Sequence, residues 1–207
     1  MGVPFGAILT LAVSLLLSQG VAADVAAGKA AYAICVACHG ANGEGNQALN
    51  APRLAGQEPW YIRRQLAAYK AGTRGTAPGD IPGMQMRPMA MTVATPEQEA
   101  NLIEYIGTLP VDPAPITIQG NAEAGKAAYA LCVACHGPAA EGLEALGGPR
   151  LSGQSDWYMV AQLKNFKNGM RAYDASDIYG MQMKPMAMVL ADDKAIDDVV
   201  AYINTLR

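Results

Sequence analysis

Histidine and cysteine are scarce: 2 and 4, respectively, in 207 residues. No histidine stands outside positions 39 and 136, so there is no spare imidazole for an acid–base cluster. No cysteine stands outside two C-x-x-C units. Structural disulfides rarely join residues three apart, so a simple disulfide framework is excluded. Lysine and arginine are missing from the first 23 residues, and no cysteine follows the apolar stretch there to carry a lipid. No apolar run reaches the length of a membrane span. Basic charge is not in excess, with a formal net charge of −3, and nothing in its pattern suggests a nucleic-acid partner.

What is present is a doubled motif. Cys35-Val36-Ala37-Cys38-His39 recurs letter for letter as Cys132-Val133-Ala134-Cys135-His136. Two thiols on one helical turn can add to the two vinyl groups of a haem, and the following imidazole can meet the iron. A redox dithiol explains neither the histidine nor the duplication. A four-cysteine zinc site would leave both histidines idle and would join units 97 residues apart. The motif therefore points to two covalently attached haem c groups, held by Cys35, Cys38, Cys132 and Cys135, with His39 and His136 each ligating one iron.

The first 23 residues have the shape of a cleaved export signal. Ile8 to Leu17 is a short apolar core, and Val21-Ala22-Ala23 supplies small residues before Asp24. Export suits a haem joined by thioethers, which form outside the bacterial cytoplasm, so a periplasmic location is expected. The mature chain should carry no integral span.

Shifted by 97, the sequence aligns with itself without a gap from Ala27 to Leu109. Pro52-Arg53-Leu54 meets Pro149-Arg150-Leu151, Trp60-Tyr61 meets Trp157-Tyr158, and Gly83-Met84-Gln85-Met86 meets Gly180-Met181-Gln182-Met183. A repeat this long is a domain duplication. The expected plan is a first domain over 24–109, a Pro-rich linker over 110–120 and a second domain over 121–207. Each half reads as a helix entering the haem motif, a Gly-rich loop and a helix from Trp60 or Trp157 that Gly72 or Gly169 ends. A long Met-rich loop follows, then a last helix capped by Thr95 or Asp192. Each half is small for a self-sufficient core, and a haem would supply apolar burial.

With both histidines spent, paired imidazole ligation is excluded by count. Methionine is the obvious second ligand, being soft and neutral. Met84, Met86, Met89 and Met91 repeat as Met181, Met183, Met186 and Met188. Position shortly before the last helix favours Met86 and Met183, with Met89 and Met186 next. A proline in each segment is expected to stiffen the loop around the sulfur. Most of these methionines must serve packing instead, since each iron needs one.

On the C-V-A-C-H-G motifs, the P-R-L-x-G-Q segments, the W-Y-x-x-x-Q-L helices and the M-x-M-[RK] segments, the chain resembles the diheme cytochromes c of the c4 type over nearly all of 24–207. The resemblance implies an all-α fold of two tandem class I cytochrome c domains, each wrapped round one haem. It implies Met86 and Met183 as distal ligands. It implies that the Pro52 and Pro149 carbonyls orient the proximal imidazoles. It also implies electron transfer to redox partner proteins such as a quinol-oxidising complex, a dehydrogenase or a terminal oxidase. Arg53 and Arg150 are candidates for pairing haem propionates, and Trp60 and Trp157 for lining that edge. The extra methionines depart from the family pattern. Two six-coordinate irons would move electrons without bond chemistry, so the chain is not expected to be an enzyme. The alternatives are a permanent haem subunit of a larger dehydrogenase or oxidase, and a haem enzyme with a labile sixth ligand.

Overall fold

The computed structural model describes residues 1–2 and 23–207; the expected export signal lies almost wholly outside the described residues. Among those described, ten α-helices and no strand beyond two isolated bridges, Asn46 to Ala51 and Leu143 to Gly148, are formed. None of these helices is long and apolar enough to cross a membrane.

The first half contains α1 (Val25–Tyr32), the one-turn α2 (Val36–His39), α3 (Pro59–Ala71), α4 (Ile81–Met91) and α5 (Pro96–Gly107). The second repeats them as α6 (Ala122–Tyr129), α7 (Val133–His136), α8 (Asp156–Lys167), α9 (Ile178–Met188) and α10 (Asp193–Ile203). Local chemistry sets most ends. Asp24 and Asn121 each accept two backbone N–H groups at the starts of α1 and α6. Thr95 and Gln98 close a capping box at α5. Gly72, at φ 78°, ends α3 in a conformation that costs a residue with a Cβ 1–2 kcal/mol, at roughly the scale of left-handed backbone.

The Met-rich segments are helices and not the expected loops. Asp80 and Asp177 cap them by accepting from Gly83 and Gly180 N–H at 3.0 and 2.9 Å. Methionine is itself a good helix former. Pro88 and Pro185 sit inside these helices, where each forfeits one bond to the carbonyl four residues back. Both prolines are on the exposed side, where water can satisfy that carbonyl.

In each half the first and last helices cross at a glycine. A Cβ on Gly28 would lie 2.0 Å from the Asn101 carbonyl oxygen of α5, and one on Gly125 would lie 1.9 Å from that of Asp198 in α10. Tyr32 and Tyr105, and likewise Tyr129 and Tyr202, pack beside the crossing at ring separations of 5.3 and 5.4 Å. Ile62, Leu66, Leu102 and Ile106 complete the first core. Met159, Ile196, Val199 and Val200 complete the second.

Residues 110–121 join the halves without helix. The end of this linker is clasped to the second half by Asp156, which is fully buried. Its carboxylate accepts from the Thr117 N–H at 2.6 Å, the Thr117 hydroxyl at 2.7 Å, the Ile118 N–H at 2.9 Å and the Trp157 N–H at 2.7 Å. Burial pushes its pKa up, but these four donors win and hold it below the ordinary 3.8.

Two outcomes are expected. Gly125→Ala gains about 1 kcal/mol of helix propensity but drives a Cβ into backbone that cannot rotate away. A net loss of about 2 kcal/mol or more is expected in thermal unfolding of the holo-protein. For Asp156, a folded pKa below the unfolded value means that its contribution is present above the ordinary 3.8 and is lost as pH falls through the lower folded value. Asp156→Asn should cost about 2 kcal/mol at neutral pH, the scale of bonds to a charged group. It should also flatten the acid limb of a pH–stability profile.

Candidate haem sites

Each site is built on a single helical turn. Cys35 precedes α2, and its carbonyl accepts from Cys38 and His39 N–H at 3.2 and 2.8 Å; Cys132 does the same for Cys135 and His136 at 3.1 and 2.9 Å. Cys35 and Cys132 are partly buried, while Cys38 and Cys135 are exposed, and none of the four is paired in a disulfide. Gly40 and Gly137, at φ 82° and 80°, turn the chain away. The buried Tyr32 and Tyr129 hydroxyls donate to the Gly40 and Gly137 carbonyls, both at 2.8 Å, which pins the motif's end to the preceding helix.

His39 and His136 are buried. Nδ1 of each lies 2.8 Å from the carbonyl oxygen of Pro52 or Pro149. A carbonyl only accepts, so Nδ1 carries the proton and Nε2 keeps a lone pair. Burial pushes both imidazoles below the ordinary 6.5, against the opposing pull of the carbonyl bond. Near neutral pH they are therefore neutral, the form that binds a metal. The thiols are set the other way: burial, with the neighbouring cysteine second, pushes Cys35 and Cys132 up to about 11. A dithiol redox catalyst draws on a depressed thiol, the opposite direction. Among the described residues no three His, Cys, Asp or Glu side chains converge as a metal site.

In the second half a cavity of about 260 Å³ joins Cys132, Cys135, His136, Met183 and Met186. Met183 is partly buried and packs on a cluster of Phe166, Ala172 and Ala187. In the first half Met86 packs on the cluster that holds Tyr32 and Cys35. The other repeated methionines, Met84, Met89, Met91, Met181, Met186 and Met188, are 38% to 58% exposed. Met86 and Met183 are thus the members of each set drawn inward, although Met186 also reaches the cavity.

The remaining sequence candidates divide. Arg53 is buried and its Nε donates to the Ala55 carbonyl at 3.1 Å. Arg150 is exposed but lines the cavity. Neither Trp60 nor Trp157 lines it; each stacks edge-on against the next tyrosine. Sequence reading missed Arg64, Arg74 and Arg171. Arg64 and Arg171 line the cavity, and each has a buried Nε with no partner. Arg171 stacks over Phe166 at 4.5 Å. Arg74 crosses between halves, donating to the Tyr158 hydroxyl at 3.1 Å and to Gln162 at 3.2 Å. Arg74 and Arg171 repeat at the 97-residue offset, which was a usable signal; Arg64 has no such partner.

The residues present fit a haem. A neutral imidazole, soft sulfur, apolar walls and guanidinium groups with an unpartnered buried Nε suit its iron, its macrocycle and its carboxylates. Sequence comparison agrees with this geometry. The cytochrome c family model matches residues 25–110 and again 122–207. The chain belongs to the cytochrome c family. It is 33% identical over 216 residues to cytochrome c4 of Azotobacter vinelandii, covering 94% of this chain and 98% of that one. It is 36% identical over 174 residues to a thiosulfate dehydrogenase electron acceptor of Stutzerimonas stutzeri, covering 77% and 73%. The crystal structure of reduced recombinant cytochrome c4 from Pseudomonas stutzeri superposes with a TM-score of 0.68 at 29% identity, over 90% of this chain and 100% of that one. The protein is a diheme electron-transfer cytochrome of the c4 type, built from two tandem helical domains with a covalently bound haem c in each.

Proposed function

We propose that this chain is an exported, periplasmic carrier that passes single electrons between redox partner proteins through two His/Met-ligated haems. It performs no bond chemistry of its own. In this reading Cys35 and Cys38 tether the first haem and Cys132 and Cys135 the second. His39 with Met86, and His136 with Met183, supply the axial ligands. The first 23 residues are the export signal, 24–109 and 121–207 are the haem domains, and 110–120 tether them. When bound, each haem supplies a one-electron iron couple. The observation that carries the reading is that each half has a buried imidazole on the cysteine turn and that Met86 and Met183 are the partly buried members of their methionine sets, Met86 packing on the same cluster as Cys35 and Met183 lining the cavity of Cys132, Cys135 and His136.

The chain's own contribution is to set the iron's environment. The Pro52 and Pro149 carbonyls hold the rings and increase their donor strength. Apolar walls disfavour the more charged oxidised state, and a thioether ligand does the same. A dehydrogenase is a fitting donor, since one relative is named as a thiosulfate dehydrogenase electron acceptor; a quinol-oxidising complex or a terminal oxidase fits the same chemistry.

The test is the visible spectrum of the purified protein, oxidised and then reduced with and without carbon monoxide. Two low-spin haems with an iron–methionine charge-transfer band and no carbon monoxide adduct are expected. Met86→His and Met183→His should each lower one component of the redox titration, by on the order of 0.1 V out of the ~0.8 V that axial ligands span. A carbon monoxide adduct in the unmodified protein would mean a labile position and a haem enzyme.

A further inference from the structure

We propose that Arg64, a residue of the first domain, belongs to the second haem's site and raises that haem's reduction potential alone. The inference rests on a haem lying in the cavity beside His136. Arg64 leaves α3 and crosses between the domains. Its Nη2 donates to the Gly147 carbonyl at 2.7 Å, two residues before the Pro149 carbonyl that holds His136. Its guanidinium lies 4.1 Å from the ring centre of Tyr179 in α9, and 4.9 and 5.2 Å from those of Trp60 and Tyr61 on its own helix. It lines the same cavity as Cys135, His136 and Met183.

Arg64 takes part in none of the ion pairs formed among the described residues, and its Nε is buried without a partner. Arg64 is half-buried, and the nearest acidic charge to act on it, Asp177, lines the same cavity without forming an ion pair with it, so its cost of burial is only partly offset. The carboxylate of the second haem is the anion that this cavity would bring to it.

The arrangement is one-sided. Position 161, the repeat counterpart of Arg64, is alanine; that of Tyr179 is Pro82 and that of Gly147 is Asn50. Gly147 is needed for the approach. A Cβ there would lie 2.3 Å from the Tyr179 ring and 2.8 Å from Arg64 Nη1. The first site therefore has neither the cation, nor the aromatic that carries it, nor the space for both. A fixed positive charge in a poorly solvated site disfavours the more positive oxidised iron. Its effect falls on the haem that it borders.

The experiment is a redox titration of the full-length holo-protein with Arg64→Gln, Arg64→Lys and, as a control on the same helix, Arg63→Gln. The two components are assigned by NMR contacts from each haem to its own thioether cysteines. That assignment does not depend on which methionine is the axial ligand, so failure of this inference is separable from failure of the ligand reading. Arg64→Gln is expected to lower the second component and leave the first unchanged. Arg64→Lys should keep most of the difference, and Arg63→Gln should change nothing. Equal shifts of both components, no shift at all, or equal effects of Gln and Lys would overturn the proposal. Should Arg64→Gln fail to hold both haems, Gly147→Asn installs the first domain's residue and displaces the guanidinium. It is expected to lower the same component, and an unchanged titration would overturn the proposal as well.

Discussion

The hydrogen bond from a buried imidazole Nδ1–H to a proline carbonyl is the constraint on which each half depends. It fixes the tautomer, so the remaining nitrogen lone pair is available and its direction is set. It also ties the one-turn helix to the end of the loop that follows, closing residues 39–52 and 136–149 into a rigid cradle. The tyrosine bond to the glycine carbonyl anchors the same cradle to the first helix. The glycine crossing anchors that helix to the last one. Cysteines, histidine and core are therefore held as one unit before any cofactor electronics enter.

Duplication gave the molecule an approximate two-fold relation between halves, and it shows where they meet. Gln57 donates to the Arg150 carbonyl at 3.4 Å and Gln154 to the Arg53 carbonyl at 3.1 Å, a reciprocal pair at the same 97-residue offset. The symmetry is broken by single substitutions at chosen places. Glu58 accepts from the Arg150 N–H at 2.8 Å, while its counterpart is Ser155. Asp156 grips the linker where the first half has Pro59. The shared frame serves haem binding, and the exceptions serve the junction.

Much of the fold was legible because its signals are short-range. Thr95 and Asp192 cap where a cap was expected, and Gly72 ends its helix through a left-handed backbone that glycine adopts freely. The haem motif was legible because five adjacent residues carry the whole chemistry. The Met-rich segments were expected as loops stiffened by a proline, and they fold as helices with Pro88 and Pro185 inside them. The aspartate cap ahead of each, and the exposure of the lost hydrogen bond, outweigh the proline. Arg64 was not legible at all: its partners Gly147 and Tyr179 are remote in sequence, and no repeat mate marks it. Arg53, a candidate in sequence for a haem propionate, is buried, with its Nε donating to the Ala55 carbonyl two residues along its own chain.

The Asp156 clasp has a consequence for how far the two domains can part. By fixing Thr117 and Ile118 to the second domain, and with the Arg207 guanidinium donating to the carbonyl of the buried Ala114, it leaves only the stretch from Pro110 to Pro113 as tether. Its prolines stiffen that stretch. Domains joined so closely remain at a high local concentration of each other, on the order of millimolar for short linkers. If the junction opens to admit a partner, it recloses without a diffusional search. One chain can then behave as a permanently paired two-centre conductor and still be free to travel.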